Sequence, residues 1–185
     1  MLELVENVKE RILMLPIPKH LKDILVPMGE GNDEYCVSGV IRCLCGCESF
    51  RMKYFADVKE GIPYISVYKD NEALMIKTIC NDCAKEYLIF DISKHGWNGF
   101  VCHDGLSVPD DELKPWQCPK CANSNLNMGI AIESNGKQDF IEETGIGDGK
   151  TDFSEDEWTE AFSSIGCELK CCGCGFSDDW TYETM

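Results

Sequence analysis

The chain has 185 residues, 17 Lys+Arg against 33 Asp+Glu for a formal charge of −16, and 13 cysteines beside 3 histidines. An apolar fraction of 44% supports packed cores and excludes global disorder, and no apolar run reaches the length of a membrane span. An odd number of cysteines cannot pair fully within one chain and no secretory leader is legible, so a cytoplasmic protein with reduced, metal-holding thiols is expected.

At the N-terminus, Val5, Val8, Ile12 and Leu15 recur at helical spacing with Glu6, Lys9, Glu10 and Arg11 between them. This predicts a helical leader within residues 1–35, stopped by Pro16 and Pro18, with a second short helical segment over 19–25. Past Glu34 the texture changes to alternation. Phe50, Met52 and Tyr54 share one strand face, Leu74, Ile76 and Thr78 another, and Leu88, Phe90 and Ile92 a third. Leu126, Met128, Ile130 and Ile132 repeat the pattern in the second half, so the predicted class is mostly β with minor α.

Cysteines stand at the ends of these strands in the same order twice. The first set is Cys43-Leu44-Cys45-Gly46-Cys47 followed by Cys80-Asn81-Asp82-Cys83; the second is Cys118-Pro119-Lys120-Cys121 followed by Cys171-Cys172-Gly173-Cys174. The inner spacing is 35 residues from Cys45 to Cys80 and 50 from Cys121 to Cys171. The difference falls in an acidic insert at 138–163, where Ser154 and Glu157 form a capping-box pattern for a short helix. A repeated cysteine order with one unequal insert predicts two duplicated units, 36–108 and 109–185. Two thiols per tight loop, brought from loops distant in sequence, are the donor set of a four-coordinate structural metal site. Glycine after the second cysteine permits the left-handed turn, and Gly46 and Gly175 stand there.

These residues resemble the zinc-ribbon (rubredoxin-like knuckle) proteins over most of residues 40–185. The resemblance implies two tandem zinc β-ribbons built of antiparallel hairpins, each closed by one Zn²⁺, with iron as the alternative ion. Carried over residue by residue, it assigns Cys43, Cys45, Cys80 and Cys83 to one ion and Cys118, Cys121, Cys171 and Cys174 to the other. Two choices stay open: Cys47 can replace Cys43 or Cys45, and Cys172 can replace Cys171. Cys36, Cys47, Cys102, Cys167 and Cys172 then read as surplus thiols, small apolar side chains rather than ligands.

Other motifs lead elsewhere only weakly. Gly145 to Thr151 imitates a phosphate loop, but Thr144 stands where its first glycine belongs and acidic residues crowd the place. The acidic spacing there does not match a calcium-binding loop either. His95, Cys102 and His103 lie together in sequence, yet adjacent residues of an extended chain point apart, so a turn around Trp97 is expected instead of a catalytic pair. No complete triad or paired-carboxylate motif is present, and the expectation is a non-enzymatic protein. Residues 109–185 carry 5 basic and 17 acidic side chains, a field that repels phosphate backbones and suits a protein partner with a basic surface. An inhibitor or immunity-type protein fits that charge. The rival expectations are nucleic-acid binding through the near-neutral first unit and a thiol or redox enzyme.

Overall fold

The computed structural model describes residues 15–56, 74–148 and 151–185. Among them, nine strands form one antiparallel sheet. They are β1 (Leu25–Pro27), β2 (Cys36–Ile41), β3 (Phe50–Ala56), β4 (Leu74–Cys80), β5 (Glu86–Asp91), β6 (Lys114–Pro115), β7 (Asn125–Glu133), β8 (Ser164–Cys171) and β9 (Ser177–Glu183). Two three-stranded meanders, β3-β4-β5 and β7-β8-β9, each carry one cysteine loop just before their first strand and one at the turn between their second and third. They join through the first residues of β3 and β7, where Phe50 pairs with Leu126 and Arg51 with Asn125.

The nine-residue β7 is the spine of the sheet. Leu126, Met128, Ile130 and Ile132 are buried while Asn125, Asn127, Ala131 and Glu133 are exposed, the period-two pattern of a half-buried strand. Its whole length pairs with β8 on one edge. Its other edge is shared: the start takes β3 and the stretch from Gly129 to Glu133 takes β2. The chain between β2 and β3, which contains Cys43 to Cys47, therefore sits at a fork in the sheet.

Twisting over this many strands curls the sheet on itself. Phe90 of β5 lies 5.2 Å from Tyr182 of β9 and 6.2 Å from Phe162, and Tyr54 of β3 lies 4.8 Å from Trp180 of β9. Phe50, Met52, Ile76, Ile89, Leu126, Met128 and Leu169 fill the one continuous core inside the curl. Alternation fails at the facing ends of β4 and β5, where Leu74, Met75 and Ile76 are buried in succession. Between Ile76/Lys77 of β4 and its partners the register shifts, so Ile89 and Phe90 of β5 are both buried.

The leader helix expected over 2–15 lies outside the described residues except for Leu15, which is buried and not helical. The second helical segment is one 3₁₀ turn, Lys19–Leu21, because the chain has to straighten at Leu25 to pair with Ile41. In the insert, α1 (Lys137–Thr144) ends at Gly145 with φ 69°, and a 3₁₀ turn spans Glu155–Glu160. The Ser154 amide donates to Glu157 Oε2 at 2.9 Å, the backward half of the expected capping box. Phe140 and Phe153, 5.9 Å apart, anchor the insert, with Phe100 a further 5.3 Å from Phe153. Its carboxylates at Glu142, Glu143, Asp152 and Asp156 stay exposed. No described helix is long and apolar enough to cross a membrane.

Candidate metal centres

Each cysteine loop is a tight turn whose backbone closes on its own first cysteine. In the first loop of each meander the Gly46 amide donates to Cys43 O and the Ala122 amide to Cys118 O, both at 2.8 Å. In the second loop of each, Ala84 donates to Cys80 O at 3.0 Å and Gly175 to Cys171 O at 2.9 Å. All four donors sit at positive φ: Gly46 at 92°, Ala122 at 57°, Ala84 at 59° and Gly175 at 70°. The left-handed turn therefore falls at the expected position in every loop, twice on alanine, which accepts a cost of about 1 kcal/mol there.

The two loops of each meander lie at the same end of its strands and bring their sulfurs together. Cys43 Sγ lies 3.5 Å from Cys83 Sγ and Cys45 Sγ 3.6 Å from Cys80 Sγ. In the other meander Cys118 pairs with Cys174 and Cys121 with Cys171, both at 3.6 Å. Within each set of four, all sulfurs lie within 4.8 Å of one another. A tetrahedral ion with thiolate bonds of ~2.3 Å sets its sulfurs roughly 3.8 Å apart, so the spacing suits such an ion. All thirteen cysteines are free thiols. The two sets, Cys43, Cys45, Cys80, Cys83 and Cys118, Cys121, Cys171, Cys174, could each hold a metal ion, consistent with zinc-ribbon-like motifs.

Acid–base behaviour within each set fits a cation. Burial pushes the Cys43 thiol up, but the Cys45 amide, the Tyr87 hydroxyl and the neighbouring thiols bring it down to about 6. Burial likewise raises Cys171, and the Cys174 and Gly173 amides bring it down to about 7. Their neighbours move the other way. The Cys47 amide lowers Cys45, but hydrogen bonding to Cys43, burial and the other thiols drive it up to about 12. The Asn123 amide lowers Cys121, yet the Cys174 and Cys171 thiols and burial drive it to about 12. Four sulfurs this close share protons because four thiolates repel one another. A divalent ion removes that repulsion by replacing the protons.

The surplus thiols have other work. The Ser49 amide donates to Cys47 Sγ at 3.4 Å, as the Asn125 amide donates to Asn123 Oδ1 at 2.7 Å in the second meander. Cys47 therefore supplies the side-chain acceptor of an Asx-like turn, outside the sulfur quartet. Cys172 is exposed and donates to Asn127 Oδ1 at 3.4 Å. Its amide donates to Asn125 O, matching the bond from Asn81 N to Ser49 O. Cys167 is sealed in the core, where burial drives its thiol to about 12.

Sequence reasoning missed Tyr87, whose hydroxyl lies 3.1 Å from Cys43 Sγ. Its place four residues after Cys83 was the available signal. It also missed the partner of His95. The His95 ring stacks on His20 at 3.8 Å with 4° between the planes and accepts the Asp91 amide at Nδ1, while Cys102 and His103 are exposed on the following turn. Burial and the Asp104 carboxylate raise Cys102, which opposes a thiolate role.

The chain matches no family model, no curated protein and no solved structure.

Proposed function

We propose that the protein is a non-enzymatic scaffold of two zinc ribbons, each closed by a structural Zn²⁺, that presents an acidic face to a basic protein partner. The observation that carries this reading is the pair of four-sulfur sets, equivalent in backbone hydrogen bonding and spaced for a tetrahedral ion. Cys43, Cys45, Cys80 and Cys83 would hold one ion, and Cys118, Cys121, Cys171 and Cys174 the other. A site closed by four thiolates has no position for water, and its ion supplies cross-linking of loops instead of Lewis-acid chemistry. The duplicated units, 36–108 and 109–185, follow from the repeated loops, with the insert as the later elaboration of the second.

The interaction half of the reading rests on charge. The insert holds Glu142, Glu143, Asp152 and Asp156 exposed on a frame pinned by Phe140 and Phe153. An acidic surface steers a cationic partner and repels nucleic acid. Affinity capture from source-cell lysate tests it, comparing the intact chain with Glu142→Gln/Glu143→Gln/Asp152→Asn. Selective loss of one captured basic protein is expected, whereas identical capture by both removes the acidic-face reading. Visible absorption separates the metals, because a ferric tetrathiolate centre is coloured and a zinc centre is not.

A further inference from the structure

The two sulfur sets are near copies in backbone but not in what touches their sulfurs. In the first, the Leu44 amide donates to Tyr87 Oη at 3.4 Å, and Oη lies 3.1 Å from Cys43 Sγ. With a lone pair of the phenol oxygen occupied by that amide, its single proton is left to point at the sulfur. The ring is held for this purpose: it is half-buried, pairs along β5 opposite Thr78, and has Lys85 Nζ 5.1 Å from its centroid. A cation over the ring makes the phenol a stronger donor.

The equivalent place in the second meander, four residues after Cys174, holds Asp178. Its Oδ2 accepts the Trp180 indole N–H at 3.1 Å, and this position offers the sulfurs no phenol hydroxyl. The backbone bond from Gly173 N to Cys171 Sγ at 3.3 Å has its counterpart in the Asp82 amide at Cys80, so the phenol is what differs. A hydroxyl bond to a metal-bound thiolate withdraws electron density from the sulfur. It makes that sulfur a poorer nucleophile and a poorer proton acceptor, which are the two routes by which thiolate sites lose their ion.

We propose that Tyr87 is a positioning residue that makes the two centres inequivalent: through its bond to Cys43 the first centre retains its ion longer and resists electrophiles, while the second is the labile one. This rests on the metal-binding reading above. The consequence is a protein with one permanent and one exchangeable centre, the exchangeable one in the unit that carries the acidic insert.

The test uses the full chain loaded with ¹¹³Cd²⁺ or Zn²⁺, as wild type and Tyr87→Phe, which keeps the ring and removes only the hydroxyl. Wild type should show two ¹¹³Cd resonances, and Tyr87→Phe should move one and leave the other as an internal check on folding. Zinc release to a competing chelator should be biphasic in wild type, and the substitution should accelerate only the slow phase, by roughly 10-fold. Alkylation mapped by mass spectrometry should rise at Cys43 relative to Cys45, Cys80 and Cys83. A uniform rise at all four would mean mere loosening and overturn the inference, as would unchanged release rates and resonances. Absence of two tetrathiolate cadmium resonances in wild type would instead remove the metal-binding reading itself.

Discussion

At the scale of single residues, cysteines of identical chemistry divide by what their sulfurs meet. Cys80 and Cys171 are buried and each faces a sulfur at 3.6 Å, so Cys80→Ser or Cys171→Ser should remove one ion per chain and lower the melting temperature sharply. Cys47 differs. Its sulfur accepts an amide proton where Asn123 uses an oxygen, so Cys47→Asn should keep both ions and stabilise by about 0.5–1 kcal/mol, the range of one improved hydrogen bond. Mass spectrometry under native conditions with urea unfolding reads both quantities. The spacing of the cysteines exposed the knuckles but left Cys45 and Cys47 as rivals for one place, and the glycine between them decided the reading. Gly46 directly after Cys45 favours Cys45, and the structure puts the positive φ of the turn at that glycine.

Among the elements, the strands show where local pattern suffices. β7 alternates cleanly because one face meets the core and the other water along its length. β5 does not, since a register shift against β4 buries Ile89 and Phe90 together, a feature of pairing that no single-strand pattern contains. The insert reads as acidic and glycine-bearing, yet it carries α1 because Phe140 has a pocket to fill beside Phe153. Phe140→Ala should destabilise by ~3–5 kcal/mol, and amide exchange should show the loss first in α1.

The turn before β1 and the end of β5 are joined by the stacked imidazoles. Burial lowers His20, which gives its Nε2 proton to Ile89 O. Burial and the neighbouring His20 hold His95 at about 3. Glu160 stands 4.0 Å from His20 Nδ1, and Asp91, paired with Lys94 at 2.8 Å, faces His95. Both histidines titrate near 6.5 once unfolded, so their contribution is complete above that pH and is lost as pH falls from 6.5 towards 3. Glu160, raised by burial, offsets part of this at the acidic end. With metal in excess, the urea midpoint should fall between pH 7.5 and roughly pH 5.5, and His20→Gln/His95→Gln should flatten that slope.

For the whole molecule, the two meanders are one sheet. Cys80, Phe50, Leu126 and Cys171 form a continuous row across four strands, so each sulfur set is braced by the other's first strand. The Asn127 side-chain amide adds a bond to Glu48 O across the same seam at 2.8 Å. The repeat of the loops was legible in the cysteine order. The merging was not, because it depends on two residue pairs between β3 and β7 and on β2 covering the remainder of β7's edge. Metal is expected to act on this sheet as a whole, since a small unit buries too little surface alone and a structural zinc adds on the order of 10 kcal/mol.

The most direct measurement is elemental analysis of the purified, reduced protein at pH 7, followed by circular dichroism as a strong chelator is titrated in. Two ions per chain and a cooperative loss of structure as they leave are expected. A chain that keeps its fold with no metal bound would contradict the metal-held scaffold at its root.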